Sequence, residues 1–208
     1  MTHRDNQYEA AFEAYLRSRQ IPYVAIDESR RALLGQGSLK SLDFIVSPRS
    51  TDRSFLVDVK GRRFPSGRQY FKNWSTREEL RSLSHWEELF GARFLGLLVF
   101  AYHVMGDRSP LPRDHLFSHG ERLYAFVGVR LDHYACWSRT ISPKWDTVSM
   151  RASLFRRLAR PVEQIFLHGV EGKPNAPAVL AEASRADPCN APEDQSRVAK
   201  PPAPAPRS

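Results

Sequence analysis

Two short segments carry residues whose types and spacing suit hydrolytic chemistry. Ser41-Leu42-Asp43-Phe44-Ile45-Val46 and Phe55-Leu56-Val57-Asp58-Val59-Lys60-Gly61 each set one acidic side chain inside an apolar run. Side chains of a strand alternate faces, so Leu56, Asp58 and Lys60 share one face and Phe55, Val57 and Val59 the other. If a hairpin pairs Val46 with Phe55, continuing the count places Asp43 directly opposite Asp58. Two carboxylates facing each other across a strand pair repel, so keeping both requires a proton or a cation between them. Oxygen-only ligation by Asp43, Asp58 and a backbone carbonyl near Val59 suits Mg²⁺, with Mn²⁺ as its substitute. Lys60 points into the same space, where it positions a water or stabilises charge developing on a phosphate. The chemistry implied is phosphodiester hydrolysis.

An acidic residue two places before a lysine arises about once in a chain of this composition and size by chance. Glu171-Gly172-Lys173 is one such accident. Asp58-Val59-Lys60 stands apart because it lies on a buried strand, with Asp43 on the partner strand and a helix ahead of both. The alternative is structural: an edge-strand salt bridge between Asp58 and Lys60 or a neighbour.

The elements that must position these residues follow from periodicity. Tyr8, Ala11, Phe12, Tyr15 and Leu16 form the apolar stripe of a helix over 5–19, which Pro22 ends. Residues 23–27, 39–46 and 55–60 read as strands, with turn formers over 47–52 between the last two. Ser75-Thr76-Arg77-Glu78 has the spacing of a capping box, opening a second helix over 76–90 that Gly91 stops. The apolar runs 94–103 and 123–131 read as strands covered on both faces, and 150–158 as a late helix. Helix, three strands, helix and two strands predict a mixed sheet with helices on both faces, an α/β/α layering.

Charge and composition narrow the partners. The chain has 208 residues with 31 Lys plus Arg against 23 Asp plus Glu, a formal net charge of +8, which favours a polyanion. Residues 171–208 hold eight of the fifteen prolines, five basic and five acidic side chains and no aromatic residue. That segment is expected to be a disordered Pro/Ala-rich tail, leaving the whole charge excess on one domain over 1–170. Cys136 and Cys189 have neither metal-site nor disulfide-scaffold spacing, and no run reaches the roughly 20 apolar residues of a membrane helix. A cytoplasmic protein without membrane partners is expected. Glycine-rich phosphate loops are absent from the sequence.

Arg62-Arg63-Phe64-Pro65-Ser66-Gly67-Arg68-Gln69-Tyr70-Phe71-Lys72-Asn73-Trp74 follows the acidic strand and interleaves four cations with four aromatics. Arg62, Arg63, Arg68 and Lys72 neutralise phosphates in such a segment while Tyr70 and Trp74 stack on unpaired bases. The alternative is a loop whose aromatics dock on the core while its cations face water. Arg139 and Lys144, beside Trp145, make a second basic turn.

Asp43 followed by Asp58-x-Lys60, between a leading helix and a helix-strand-strand extension, resembles the PD-(D/E)xK nuclease superfamily. That superfamily has the restriction-endonuclease-like fold shared with archaeal Holliday junction resolvases. Leu42 stands where the superfamily motif has proline. Gln7-Tyr8-Glu9-Ala10-Ala11-Phe12-Glu13 resembles the signature of the uncharacterised bacterial HYExAFE family, with Gln7 where that pattern has histidine. The resemblance covers about residues 5–160 and implies a restriction-endonuclease-like core, metal-dependent cleavage of DNA, and compatibility with a homodimer. It also implies a further acidic residue on the first helix facing the metal, for which Glu9 and Glu13 both qualify, Glu9 first. A catalytically silent nucleic-acid-binding module of the same fold is the rival reading.

Overall fold

The computed structural model describes residues 6–26, 33–34, 37–38, 40, 42–65 and 70–169. The expected tail, its boundary at 170/171, and Arg68 lie outside the described residues.

The chain opens with helix α1 (Gln7–Ser18), capped by the Asn6 side chain, which accepts from the Tyr8 amide. Strands β1 (Tyr23–Ala25), β2 (Leu33–Leu34), β3 (Gly37–Ser38), β4 (Phe44–Val46) and β5 (Ser54–Phe64) follow. Next come β6 (Ser75–Thr76), helix α2 (Arg77–Phe90), and strands β7 (Phe94–Val104), β8 (Leu116–His119) and β9 (Arg122–Arg130). Helix α3 (Leu131–Trp137), strands β10 (Ser138–Ser142) and β11 (Thr147–Met150), helix α4 (Ala152–Leu158), strand β12 (Arg160–Pro161) and helix α5 (Val162–His168) complete the described chain.

Seven strands form the main sheet in the order β1-β4-β5-β7-β9, with β12 and β8 both pairing the far side of β9. Only β5 and β7 run parallel, joined by α2 as the crossover a parallel pair requires. Their side chains alternate between two cores. Val57, Val59, Leu97, Val99 and Ala101 meet α1 and α5 through Phe12, Leu16, Ile165 and Phe166. Leu56, Leu98, Phe100 and Tyr102 meet α2, α3 and α4 through Leu80, Leu83, Tyr134 and Phe155. Helices therefore cover both faces of a mixed sheet, the layering read from the sequence. Phe12 fixes α1 by edge-to-face contacts with Phe44 and Phe126, at centroid distances of 5.4 and 5.2 Å. Burying one such ring stabilises by about 1.5–3 kcal/mol.

Several boundaries differ from expectation. The capping box belongs to Thr76 and Glu79, one residue later than Ser75 and Glu78, because Thr76 is held extended opposite Thr147 and cannot be the first helical residue. Gly91 ends α2 with φ +82°, a backbone that favours glycine. The late helix begins at Ala152, since Thr147–Met150 is a strand. Sequence periodicity missed α3, α5 and a second, three-stranded sheet of order β10-β11-β6. The expected salt bridge between Asp58 and Lys60 does form, but β5 is interior, so it is a buried ion pair and not an edge-strand one.

Candidate active site

Strands β4 and β5 pair with Val46 opposite Phe55, Ile45 opposite Leu56 and Phe44 opposite Val57, the register expected from the sequence. The ladder ends at Phe44, where the Asp43 amide donates to the Val57 carbonyl at 2.9 Å. Beyond that point the Val59 N–H has no strand carbonyl to meet. The Asp43 carboxylate takes it instead, Oδ2 accepting at 2.6 Å. A side chain thus replaces a ladder carbonyl and turns its carboxylate toward β5, beside Asp58.

Asp43 is 3% exposed, Asp58 9% and Lys60 8%. Burial pushes the Asp43 carboxyl well above the usual range, and the charges of Asp58 and Glu9 push the same way. Burial also raises Asp58, with Lys60 acting against it. For Lys60, burial opposes the ammonium form, but Asp58 and Glu79 outweigh it and hold the side chain protonated above its ordinary range. Lys60 Nζ lies 2.7 and 2.8 Å from the two oxygens of Asp58 and 3.0 Å from Glu79 Oε1.

Glu79 is the residue that sequence reasoning missed. Its Oε2 accepts from the Ser75 hydroxyl at 2.6 Å and from the Thr76 amide at 2.9 Å, capping α2. Its Oε1 faces Lys60 and Lys40. Burial works to raise this carboxyl, but Lys60, Lys40, Ser75 and the Thr76 amide together hold it well below the carboxylate range. The available signal was the capping box shifted by one residue.

The first helix reaches the site because Gly61 of β5 has no side chain. A Cβ there would stand 2.1 Å from Cδ2 of Tyr8, so the Tyr8 ring lies directly on the strand. The next residue, Glu9, is buried and accepts from the Asn6 amide group. Its charge is among those that raise Asp43. Glu13, one turn on, binds Arg17 at 2.7 Å and the Tyr23 hydroxyl at 2.9 Å, near the sheet edge at β1. The fold thus brings Asp43, Asp58, Lys60 and Glu9 into one electrostatic cluster and engages Glu13 elsewhere.

Among the described residues, no three His, Cys, Asp or Glu side chains are arranged as a ready cation cage. The donor chemistry nonetheless fits a hard cation. Asp43, Asp58 and Glu9 offer only oxygen, and Asp43 is raised in part by the like charges that a cation would neutralise.

The basic segment divides. Phe64 and Phe71 enter the core against Tyr102, with ring centroids 5.7 and 6.3 Å from it. Tyr70 and Trp74 remain exposed. The loop backbone is pinned by buried groups. Asn73 donates to the Met150 carbonyl and accepts from the Met150 amide, Tyr102 donates to the Lys72 carbonyl, and Tyr134 donates to the Asn73 carbonyl. Arg62 stacks on Trp74, its guanidinium carbon 3.9 Å from the ring centroid, and its Nε is buried without a hydrogen-bond partner. Arg63 is exposed, Lys72 half-buried. Pairing of β6 with β11 brings the second basic turn beside this loop, with Arg139 exposed on β10 and Lys144 Nζ 5.4 Å from the Trp145 ring.

No protein family and no curated protein matches this chain. Among solved structures, Hjc, a Holliday junction resolvase from the archaeal hyperthermophile Archaeoglobus fulgidus, is similar over 77% of this chain and 98% of that one. The identity is 11% and the TM-score 0.45. No described helix is long and apolar enough to cross a membrane.

Proposed function

We propose that this chain is a divalent-metal-dependent phosphodiesterase that cuts DNA as an endonuclease. The observation that carries the reading is the buried pair of Asp43, just ahead of β4, and Asp58 on β5, with Lys60 in contact with Asp58. Like charges sealed together destabilise a fold unless a ligand uses them. Asp43 and Asp58 would hold Mg²⁺ or Mn²⁺, with Glu9 contributing negative charge from the first turn of α1. Such a cation, when bound, lowers the pKa of water and neutralises phosphate charge. Lys60 contributes a fixed ammonium beside the scissile phosphate. Arg62, Arg63, Arg68, Tyr70, Lys72, Trp74, Arg139 and Lys144 hold the nucleic acid.

One observation favours a second reading. Both oxygens of Asp58 are taken by Lys60, an arrangement that also suits a catalytically silent binding module of the same shape. Incubation with single-stranded, duplex and branched DNA in Mg²⁺ or Mn²⁺ separates the two. The hydrolase predicts cleavage that is lost in Asp58→Ala and Lys60→Ala. Binding without cleavage in the wild type establishes the silent module.

A further inference from the structure

The three-stranded sheet has one face against the core and one toward solvent. Val148 and Ser75, opposite each other in the ladder, are buried, and the Val148 carbonyl accepts from the Tyr134 hydroxyl. Arg139, one place along β10, is exposed, as is Ile141. Three of the chain's four tryptophans adjoin this small sheet and stay in water. Trp74 precedes β6 and is 41% exposed, Trp137 precedes β10 and is 40% exposed, and Trp145, in the β10–β11 turn, is 70% exposed. Indole rings dominate the energetics of cores and interfaces, so three left open around one small sheet call for a partner.

The charge around them indicates its chemistry. Arg62 lies over Trp74, Lys144 beside Trp145, and Arg139 on the strand between. Asp146, next to Trp145 in the turn, is engaged by Arg77 at 3.2 Å and Arg81 at 4.0 Å. Duplex DNA meets the cations with phosphates but keeps its base faces stacked inside. A single strand offers phosphates and free base faces together. Ladder pairing sets Trp74 and Trp137 toward the Met150 end of β11 and Trp145 at its Thr147 end. Those ends are ~10 Å apart along the strand, about three stacked nucleotides at ~3.4 Å each. Arg62 also leads inward, since it follows Lys60 and Asp58 on the same face of β5.

We propose that this sheet, with Trp74, Trp137 and Trp145 as stacking surfaces, Arg62 bracing Trp74 through its ring and carbonyl, and Arg139 and Lys144 as phosphate contacts, is a platform for single-stranded nucleic acid feeding the Asp43–Asp58 site. The proposal rests on the hydrolase reading for its destination, but its test does not depend on cleavage. Metal-free full-length protein is titrated with a thymidine oligonucleotide, a uridine oligonucleotide and a blunt duplex of equal length. Tryptophan fluorescence reports stacking, and anisotropy of the labelled strand reports affinity. A single strand of one sugar type or the other should quench the fluorescence and bind at least about tenfold more tightly than duplex. Trp74→Ala and Trp145→Ala should each weaken it about five- to 150-fold, and Trp145→Ala should do so while leaving duplex binding unchanged. Trp145 is the more exposed, so its variant tests the idea without disturbing the fold. Absent quenching, equal duplex affinity, or variants that bind like wild type would overturn the platform. Cleavage of duplex DNA by a protein whose tryptophans are never quenched would sink the platform and spare the hydrolase. Single-strand binding without cleavage in Mg²⁺ or Mn²⁺ would do the reverse.

Discussion

Asp43→Asn should make the metal-free protein more stable at neutral pH, although it removes a buried side chain's charge and with it the proposed cation site. Asp43 lies one place beyond the Phe44–Val57 pair, where continuing the register sets it against Asp58 at the ~5 Å typical of facing residues. Two unit negative charges ~5 Å apart at an effective dielectric near 20 repel by about 3 kcal/mol. Lys60, bonded to Asp58, offsets part of that repulsion, which leaves a net penalty of about 1–2 kcal/mol in the wild type. Asparagine retains a carbonyl oxygen for the Val59 amide, so the backbone capping at 2.6 Å survives while the repulsion goes. The pH dependence follows in sign. Asp43 titrates above its ordinary value in the folded chain, so the native state binds the proton more tightly than the unfolded one. Wild-type stability from this group is full below the unfolded pKa and is lost as pH rises through the folded one. The advantage of the variant should therefore be largest near neutrality and should vanish in acid. Urea unfolding in the presence of a chelator at neutral and mildly acidic pH measures both. An Asp43→Asn protein that is less stable than wild type at neutral pH, or whose difference is the same at both, would show that Asp43 and Asp58 do not repel in the folded chain.

Glu79 permits a contrast between two substitutions. Glu79→Gln keeps an acceptor for Ser75 and Thr76 but gives up the charge beside Lys60, and should cost about 1–3 kcal/mol by urea unfolding. Glu79→Ala loses the cap as well, for about 1 kcal/mol more. Because Glu79 titrates below its unfolded value, its contribution is present above the ordinary carboxylate pKa and is lost as pH falls below it. The wild-type advantage over Glu79→Gln should shrink in that acid range. Gly61→Ala drives a methyl group into the Tyr8 ring and should destabilise by about 1–3 kcal/mol, with much of the loss recovered in Gly61→Ala/Tyr8→Ala. Additive effects in that double variant would count against direct contact.

What was legible in the sequence was legible for local reasons. The β4–β5 register follows from turn formers over 47–52 and from a period of two that one slipped residue would invert. That register alone set Asp43 against Asp58. The first helix was readable because its stripe is dense and Asn6 caps it. Glu79 was hidden by an ambiguity, since Ser75-Thr76 and Glu78-Glu79 allow two capping boxes one residue apart. A tertiary contact, the pairing of Thr76 with Thr147, selects the second. The small sheet was hidden for the same reason, because strands of two to five residues joined across more than seventy positions carry no periodicity to read. Glu9 and Glu13 both qualify on the helix, Glu9 first, and the seating of Tyr8 on Gly61 sets them apart.

The most direct test is a calorimetric titration of Mn²⁺ into metal-free protein, wild type beside Asp43→Asn. One cation should bind per wild-type chain and none to the variant. No binding to the wild type, or equal binding to both, would contradict the proposed cation site.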